Sequence, residues 1–292
     1  MLREFAIEPA LLANWKNFHY LHEKFGISKA RVIAQFPKNW YKMVCEEADA
    51  VGGVLNKKRV VEWLVSAKKT FLIPSGRDYK IPDDWLQSAE NAHTTNPFTS
   101  ILARENPRNH PEVLKWSDEE TEVPEAHPLV KNEYEFRMQK TPEGFLQTCF
   151  LLLQHSHEII FIDPYLKDGN GSFDVLKLIL YSIYKSTSTE KNIRYFTIES
   201  PNGETLEYRV NELKQKLPKS IPTGMSIKII LLNDMHNRFI LTERGGIKFP
   251  YGLDVRRDKH DEVNYLSENL HREIFDEYSK LKGYDITIEG QG

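Results

Sequence analysis

Glu158-Ile-Ile-Phe-Ile-Asp163, closed by Pro164, is the stretch on which the fold turns. Four consecutive apolar residues, β-branched or aromatic, between an acid and a proline-capped acid predict a short strand buried on both faces. Ile227-Lys-Ile-Ile-Leu-Leu232 has the same character. Strands buried on both faces need helices on both sides, and the neighbouring sequence supplies them. Pro142 opens a helix over 145–154, and 173–184 and 205–216 read as two more, with a strand at 193–198 between them. Further strands are expected at 237–242 and 247–249, a hairpin turn at Thr242-Glu-Arg-Gly-Gly246, a final amphipathic helix at 266–282 and an edge strand at 286–288. Alternating helix and apolar strand predicts an α/β domain over 141–292 with a mixed, mostly buried sheet flanked by helices.

The first 90 residues read differently. Leu11, Leu12, Trp15, Phe18, Leu21 and Phe25 follow Pro9 at helical spacing, and Gly26 stops the run. Ser28 offers a cap for a second helix containing Val32, Ile33 and Phe36. Pro37 starts another segment with Trp40, Met43 and Val44, and 57–69 makes a fourth helix. An all-helical N-terminal domain over 1–90 is the expectation. Residues 91–140 hold Pro97, Pro107, Pro111, Pro124 and Pro128 and an acidic cluster at 118–125, the texture of a connector.

With 292 residues, 40% of them hydrophobic, the chain can bury a sizeable core, which excludes disorder as its main state. The net charge of −3 excludes a wholly basic nucleic-acid coat, yet it hides an asymmetry. Residues 12–80 carry 13 Lys or Arg against 6 Asp or Glu, a balance of +7. Lys57, Lys58, Arg59, Lys68 and Lys69 are therefore candidates for contact with a nucleic-acid backbone. The turn at Gly26-Ile-Ser28 would suit a helix-turn-helix in which residues 28–36 enter DNA, with an ordinary helical hairpin as the plainer reading. Two cysteines, Cys45 and Cys149, form neither a disulfide framework nor a zinc spacing and read as reduced thiols. No signal peptide and no membrane span are expected, so a cytoplasmic location is the expectation.

Chemistry concentrates between Asp234 and Asp254. On a strand, His236, Arg238, Ile240 and Thr242 share one face, and an imidazole beside a guanidinium makes an anion site. A two-residue turn at Arg244–Gly245 would add Phe249 and Tyr251 to that face. Asp163 and Tyr165 follow a buried strand at its carboxyl end, where ligands bind in open α/β sheets, so both are candidates for the shell behind the site. His155 and His157 lack a third ligand and read as surface residues; Gly169-Asn-Gly171 reads as a turn.

His236-x-Arg238-x4-Glu243, followed by glycines and by Gly252-Leu-Asp254, resembles the His-x-Lys-x4-Asp signature of the phospholipase D superfamily. It is most similar to the divergent His-x-Arg form in the phospholipase D-like domain at the C-terminus of MIT-domain proteins. EIIFIDPYL resembles the early strand of that fold, and the likeness covers about residues 145–292. It implies a phosphodiesterase that needs no metal or cofactor, in which His236 attacks phosphorus, Arg238 stabilises charge and Glu243 orients an imidazole. Arg238, Thr242 and Asp254 would bind the phosphate. The mechanism needs two histidines and the chain has one copy of the motif, so the resemblance implies a homodimer. A nuclease acting in a bacterial defence or mobile-element system is the expected function. The alternative is a noncatalytic module that binds phosphate groups or a partner protein in a larger assembly.

Overall fold

The structure is a computed structural model that describes residues 1–79, 84–116, 134–187, 189–255 and 259–292. Its contacts divide the chain into two units, Leu2–Glu133 and Tyr134–Gly292, with Met1 counted in the second.

The first unit is α/β, not all-helical. Its elements are β1 (Arg3–Ile7), α1 (Pro9–Ala13), α2 (Trp15–Lys24), β2 (Arg31–Gln35), α3 (Trp40–Thr70), β3 (Leu72–Pro74), α4 (Trp85–Thr95), β4 (Ser100–Ala103) and β5 (Val113–Lys115). All five strands run parallel in the order β3-β2-β1-β4-β5. The expected second helix is where the sequence reading fails. Ile27–Lys29 makes one 3-10 turn, Ala30 takes a left-handed φ of 52°, and Val32, Ile33 and Ala34 enter the sheet fully buried. A residue run inside the sheet cannot enter DNA, so these residues form no helix-turn-helix. The connector also dissolves: β4 and β5 complete the first sheet, Pro97 precedes β4, and Pro107 and Pro111 lie in the loop between the two strands. The acidic cluster at 118–125, with Pro124 and Pro128, lies outside the described residues.

Both faces of this sheet are covered. On one, Phe36, Trp85, Ala89, Phe98 and Ile101 form a buried cluster. Elsewhere Phe18, Trp63 and Phe71 pack ring against ring, with centroids 4.6 and 5.8 Å apart. Indole N–H groups lock helices to strand ends: Trp40 Nε1 donates to the Ile7 carbonyl at 2.7 Å and Trp85 Nε1 to that of Phe36 at 2.8 Å.

The second unit contains β6 (Glu135–Gln139), α5 (Pro142–Gln154), β7 (Glu158–Ile162), α6 (Ser172–Ser186), β8 (Asn192–Ile198), α7 (Leu206–Lys216), β9 (Ser226–Leu232), β10 (Phe239–Thr242), β11 (Gly245–Lys248), β12 (His260–Tyr265), α8 (Glu268–Lys280) and β13 (Tyr284–Glu289). The eight strands are ordered β13-β9-β8-β7-β10-β11-β12-β6. β7, β8 and β9 are parallel; the remaining pairings are antiparallel. The apolar runs 158–163 and 227–232 are β7 and β9, one on each side of β8, and Ile159–Ile162 are wholly buried. Ile160 and Ile162 pack with Ile274 and Tyr278 of α8. Side chains alternate along a strand, so Phe161 turns to the other face, where it stacks on Tyr195. Helix starts carry the side-chain caps that their sequences offer: Thr141 accepts from the Gly144 N–H, Thr205 from that of Tyr208 and Ser267 from that of Leu270. Among the described residues no helix is long and apolar enough to cross a membrane.

Candidate functional site

β7 ends at Ile162, and β10 runs antiparallel beside it with Phe239 opposite Ile162. Arg238, one residue before β10, therefore arrives next to Asp163, one residue after β7. A loop over 250–254 closes on both. Asp163 is 2% exposed, and its carboxylate accepts the Tyr165 N–H at 2.9 Å and the Leu253 N–H at 2.5 Å. Burial pushes this carboxyl up, against the opposing pull of those two N–H groups and of Arg238.

These residues line a pocket of about 270 Å³ together with Tyr165, Lys167, Asn170, Tyr251 and Asp254. Arg238 is half-buried. Its NH1 donates to the carbonyls of His236 and Pro250, both at 3.4 Å, and its guanidinium carbon lies 5.6 Å from the Tyr165 ring centroid. Asn170 ties the rim together: its Nδ2 donates to the Tyr165 carbonyl at 2.9 Å, and its own carbonyl accepts the Val255 N–H at 2.8 Å. Beneath the rim Lys140, 1% exposed, is paired with Asp254 Oδ1 and donates to the Tyr251 carbonyl at 3.3 Å.

Of the residues expected here, Asp163, Tyr165, Arg238 and Asp254 come together, and Tyr251 joins them from a loop rather than a strand. Asp254 is corrected in role. It is an acid held by Lys140, so it shapes the pocket wall instead of binding phosphate. His236 does not line the pocket. It lies in the irregular run before β10, its side chain is 89% exposed, and its Nε2 is 3.6 Å from Asp234 Oδ1. The expected shared strand face is absent because the strand starts at Phe239.

Thr242 ends β10 and Glu243 follows it, about 13 and about 16 Å along the chain from Arg238 at strand rise. Glu243 clamps the start of β7, accepting the N–H groups of His157 and Glu158 at 2.8 and 2.9 Å. It cannot orient His236. Thr242 is fully buried, and its Oγ1 donates to the Gly245 carbonyl and accepts the Arg244 and Gly245 N–H groups. Those bonds build the hairpin, whose two turn residues are Glu243 and Arg244 and not Arg244 and Gly245. Thr242 is thus a turn former, not a phosphate ligand.

The basic candidates of α3 are spread along the helix. Lys57 is paired with Asp49 at 3.1 Å, while Lys58, Arg59, Lys68 and Lys69 are exposed. Lys68 and Lys69 occupy the last turn, where cations complement the helix dipole. Cys45 and Cys149 are both free and buried, and burial raises both thiols, which makes them poor nucleophiles. Among the described residues no group of three or more His, Cys, Asp or Glu side chains is arranged to hold a metal ion.

Lys140, Lys167 and Asn170 were missed by the sequence reading. Asn170 had a signal, since a Gly-Asn-Gly turn directly after a buried strand lies where such sheets bind ligands. Lys140 had none, because the pairing of β6 with β12 delivers it.

A second cavity, of about 510 Å³, lies in the first unit at the carboxyl ends of β1 and β4. Glu8 and Arg104 pair across it at 2.6 Å, and Arg108 on its wall is paired with Glu90 at 2.5 Å.

No family model and no curated protein matches the chain. Among solved structures, TrmBL2, an archaeal chromatin protein that shows a novel mode of DNA binding, aligns at a TM-score of 0.28 with 11% identity. The alignment covers 52% of this chain and 55% of that one, so it spans about half the length of that protein.

Proposed function

We propose that the second unit is a phosphate-binding module whose site is the pocket around Arg238. The observation that carries this reading is the pairing of two cations, Arg238 and Lys167, with the amide of Asn170 and two tyrosines on one small pocket. A guanidinium offers a planar fork to phosphate oxygens, and Lys167 adds a point charge. The two carboxylates on the wall are already engaged, Asp163 by backbone N–H groups and Asp254 by Lys140. The pocket lies at the carboxyl end of parallel strands, the usual ligand position in such sheets.

Calorimetric titration with inorganic phosphate and with a short single-stranded oligonucleotide tests this. Wild type binds both, Arg238→Ala loses at least about tenfold in affinity, and Arg238→Lys keeps part of it. Equal affinity in wild type and Arg238→Ala would reject the site.

A second reading, a phosphodiesterase, is favoured by one observation: His236 is exposed two residues from Arg238, and its carbonyl accepts the Arg238 NH1. In that reading His236 attacks phosphorus, the P–O bond to the leaving group breaks, and His236 of a second copy protonates the departing oxygen. Water then hydrolyses the phosphohistidine. Cleavage that survives EDTA and vanishes in His236→Ala would favour it over simple binding.

A further inference from the structure

Helix α3 turns a corner. Gly52 (φ −143°) and Gly53 (φ 64°) are non-helical inside it. Across the corner Asn56 Nδ2 donates to the Ala48 carbonyl at 2.8 Å and to the Ala13 carbonyl at 2.9 Å, and Lys57 pairs with Asp49 at 3.1 Å. Residues eight apart on a straight helix are separated by about 12 Å, so these contacts require the chain to fold back. Asn56 thereby ties three segments together at the corner.

Its tip is apolar and bare. Val51, Val54 and Leu55 are 66%, 79% and 74% exposed. Single exposed apolar residues are ordinary, whereas Val51, Val54 and Leu55 stand within five residues of one another on one braced corner. The charges around them are segregated. Glu46, Glu47 and Asp49 precede the tip and Lys57, Lys58 and Arg59 follow it, three acids against three bases, on residues that are exposed apart from the half-buried Lys57.

We infer that a second copy of this chain docks on this corner about a two-fold axis. An apolar centre between an acidic and a basic half is self-complementary under two-fold rotation, because the acids of each copy meet the bases of the other. The same balance argues against an anionic membrane or a nucleic-acid backbone, either of which would meet three carboxylates beside the three cations. Residues 46–59 amount to about half of one side of a standard interface, so the dimer is weak and concentration-dependent. The intramolecular ion pairs Lys42–Glu46 and Asp49–Lys57 are exposed, and exposed pairs rearrange at little cost.

Sedimentation velocity on the full chain, over a roughly hundredfold concentration range, tests the proposal. Wild type shows a reversible monomer–dimer equilibrium, and Val54→Asp with Leu55→Asp abolishes it. Two charge-reversed chains then decide the geometry. One carries Lys57→Glu, Lys58→Glu and Arg59→Glu; the other carries Glu46→Lys, Glu47→Lys and Asp49→Lys. Each alone is monomeric, and their mixture forms a heterodimer. All substituted residues are exposed except the half-buried Lys57, and circular dichroism verifies that each chain folds. A wild type that stays monomeric throughout, a dimer that persists in the double aspartate variant, or a mixture that fails to pair overturns the inference. So does a monomeric wild type that sediments with phosphatidylserine vesicles and loses this in Val54→Asp, which would assign the corner to a lipid surface.

Discussion

A Cβ on Gly252 would lie 2.7 Å from Asp163 Oδ2 and 3.1 Å from Arg238 Cδ. The loop that closes the candidate site can rest on these two side chains only because residue 252 has none. Its φ of 76° is a second reason for glycine.

Gly252→Ala is therefore expected to cost about 1–3 kcal/mol and to weaken phosphate binding, because Asp163 or Arg238 must move. Gly203→Ala is the control. Its φ is 82°, but no atom lies within 4 Å of the added Cβ, so only the backbone term of about 1 kcal/mol remains. Urea denaturation of both variants, followed by far-UV circular dichroism, checks the order. Equal costs would show that the contact with Asp163 does not matter.

Glu243→Ala separates a structural role from a catalytic one. Removing the carboxylate leaves the His157 and Glu158 N–H groups to water, a loss of about 1 kcal/mol at this partly exposed position. Phosphate affinity, and any phosphodiester cleavage, should be unchanged. A large loss of cleavage with an unchanged denaturation midpoint would restore Glu243 to the chemistry.

The contrast between β7 and β2 shows what the sequence could reveal. Ile159–Ile162 is a continuous apolar run with a proline just beyond it, and no helix face fits four adjacent buried residues. Val32, Ile33 and Phe36 fit a helix face as well as a strand, and five residues are too few to decide. Arg238 and Asp163 were each visible as candidates because one carries the anion-binding group and the other ends a buried strand. Their meeting was not visible, since it depends on the β7–β10 register. The strand face expected for His236 and Arg238 failed because β10 begins at Phe239, a displacement of a few residues that local propensity does not resolve.

Asp163→Asn tests the electrostatics of the site through pH. Burial raises the Asp163 carboxyl above its ordinary 3.8. The folded state therefore binds this proton more tightly than the unfolded chain, and the group's contribution to stability falls as pH rises from 3.8 through the folded value. Asparagine does not titrate. The stability of wild type minus that of Asp163→Asn should decrease with pH over that window and then level off. A difference that grows with pH would mean that hydrogen bonds and Arg238 outweigh burial.

Lys140→Met is the sharpest test of how the pocket is built. The ammonium is almost wholly buried, is paired with Asp254 and donates to the Tyr251 carbonyl. It also lowers the carboxyl of Asp261, which is itself 0% exposed and raised by burial. Methionine keeps most of the volume and removes the charge, leaving two enclosed carboxylates without this cation. Breaking a buried pair on one side costs about 3–5 kcal/mol, so a loss near the lower figure is expected at neutral pH. The penalty should shrink on acidification, because protonating Asp261, whose carboxyl burial raises, removes part of the uncompensated charge. Adding Asp254→Asn to Lys140→Met should recover part of the loss at neutral pH for the same reason. All five tryptophans, Trp15, Trp40, Trp63, Trp85 and Trp116, lie in the first unit, so their fluorescence follows that unit while circular dichroism reports both. The shift should appear in the dichroism transition. Because Tyr251 and Asp254 form the pocket wall, phosphate affinity should fall with it. A Lys140→Met chain as stable as wild type at neutral pH would show that the lysine is not what holds the loop in place.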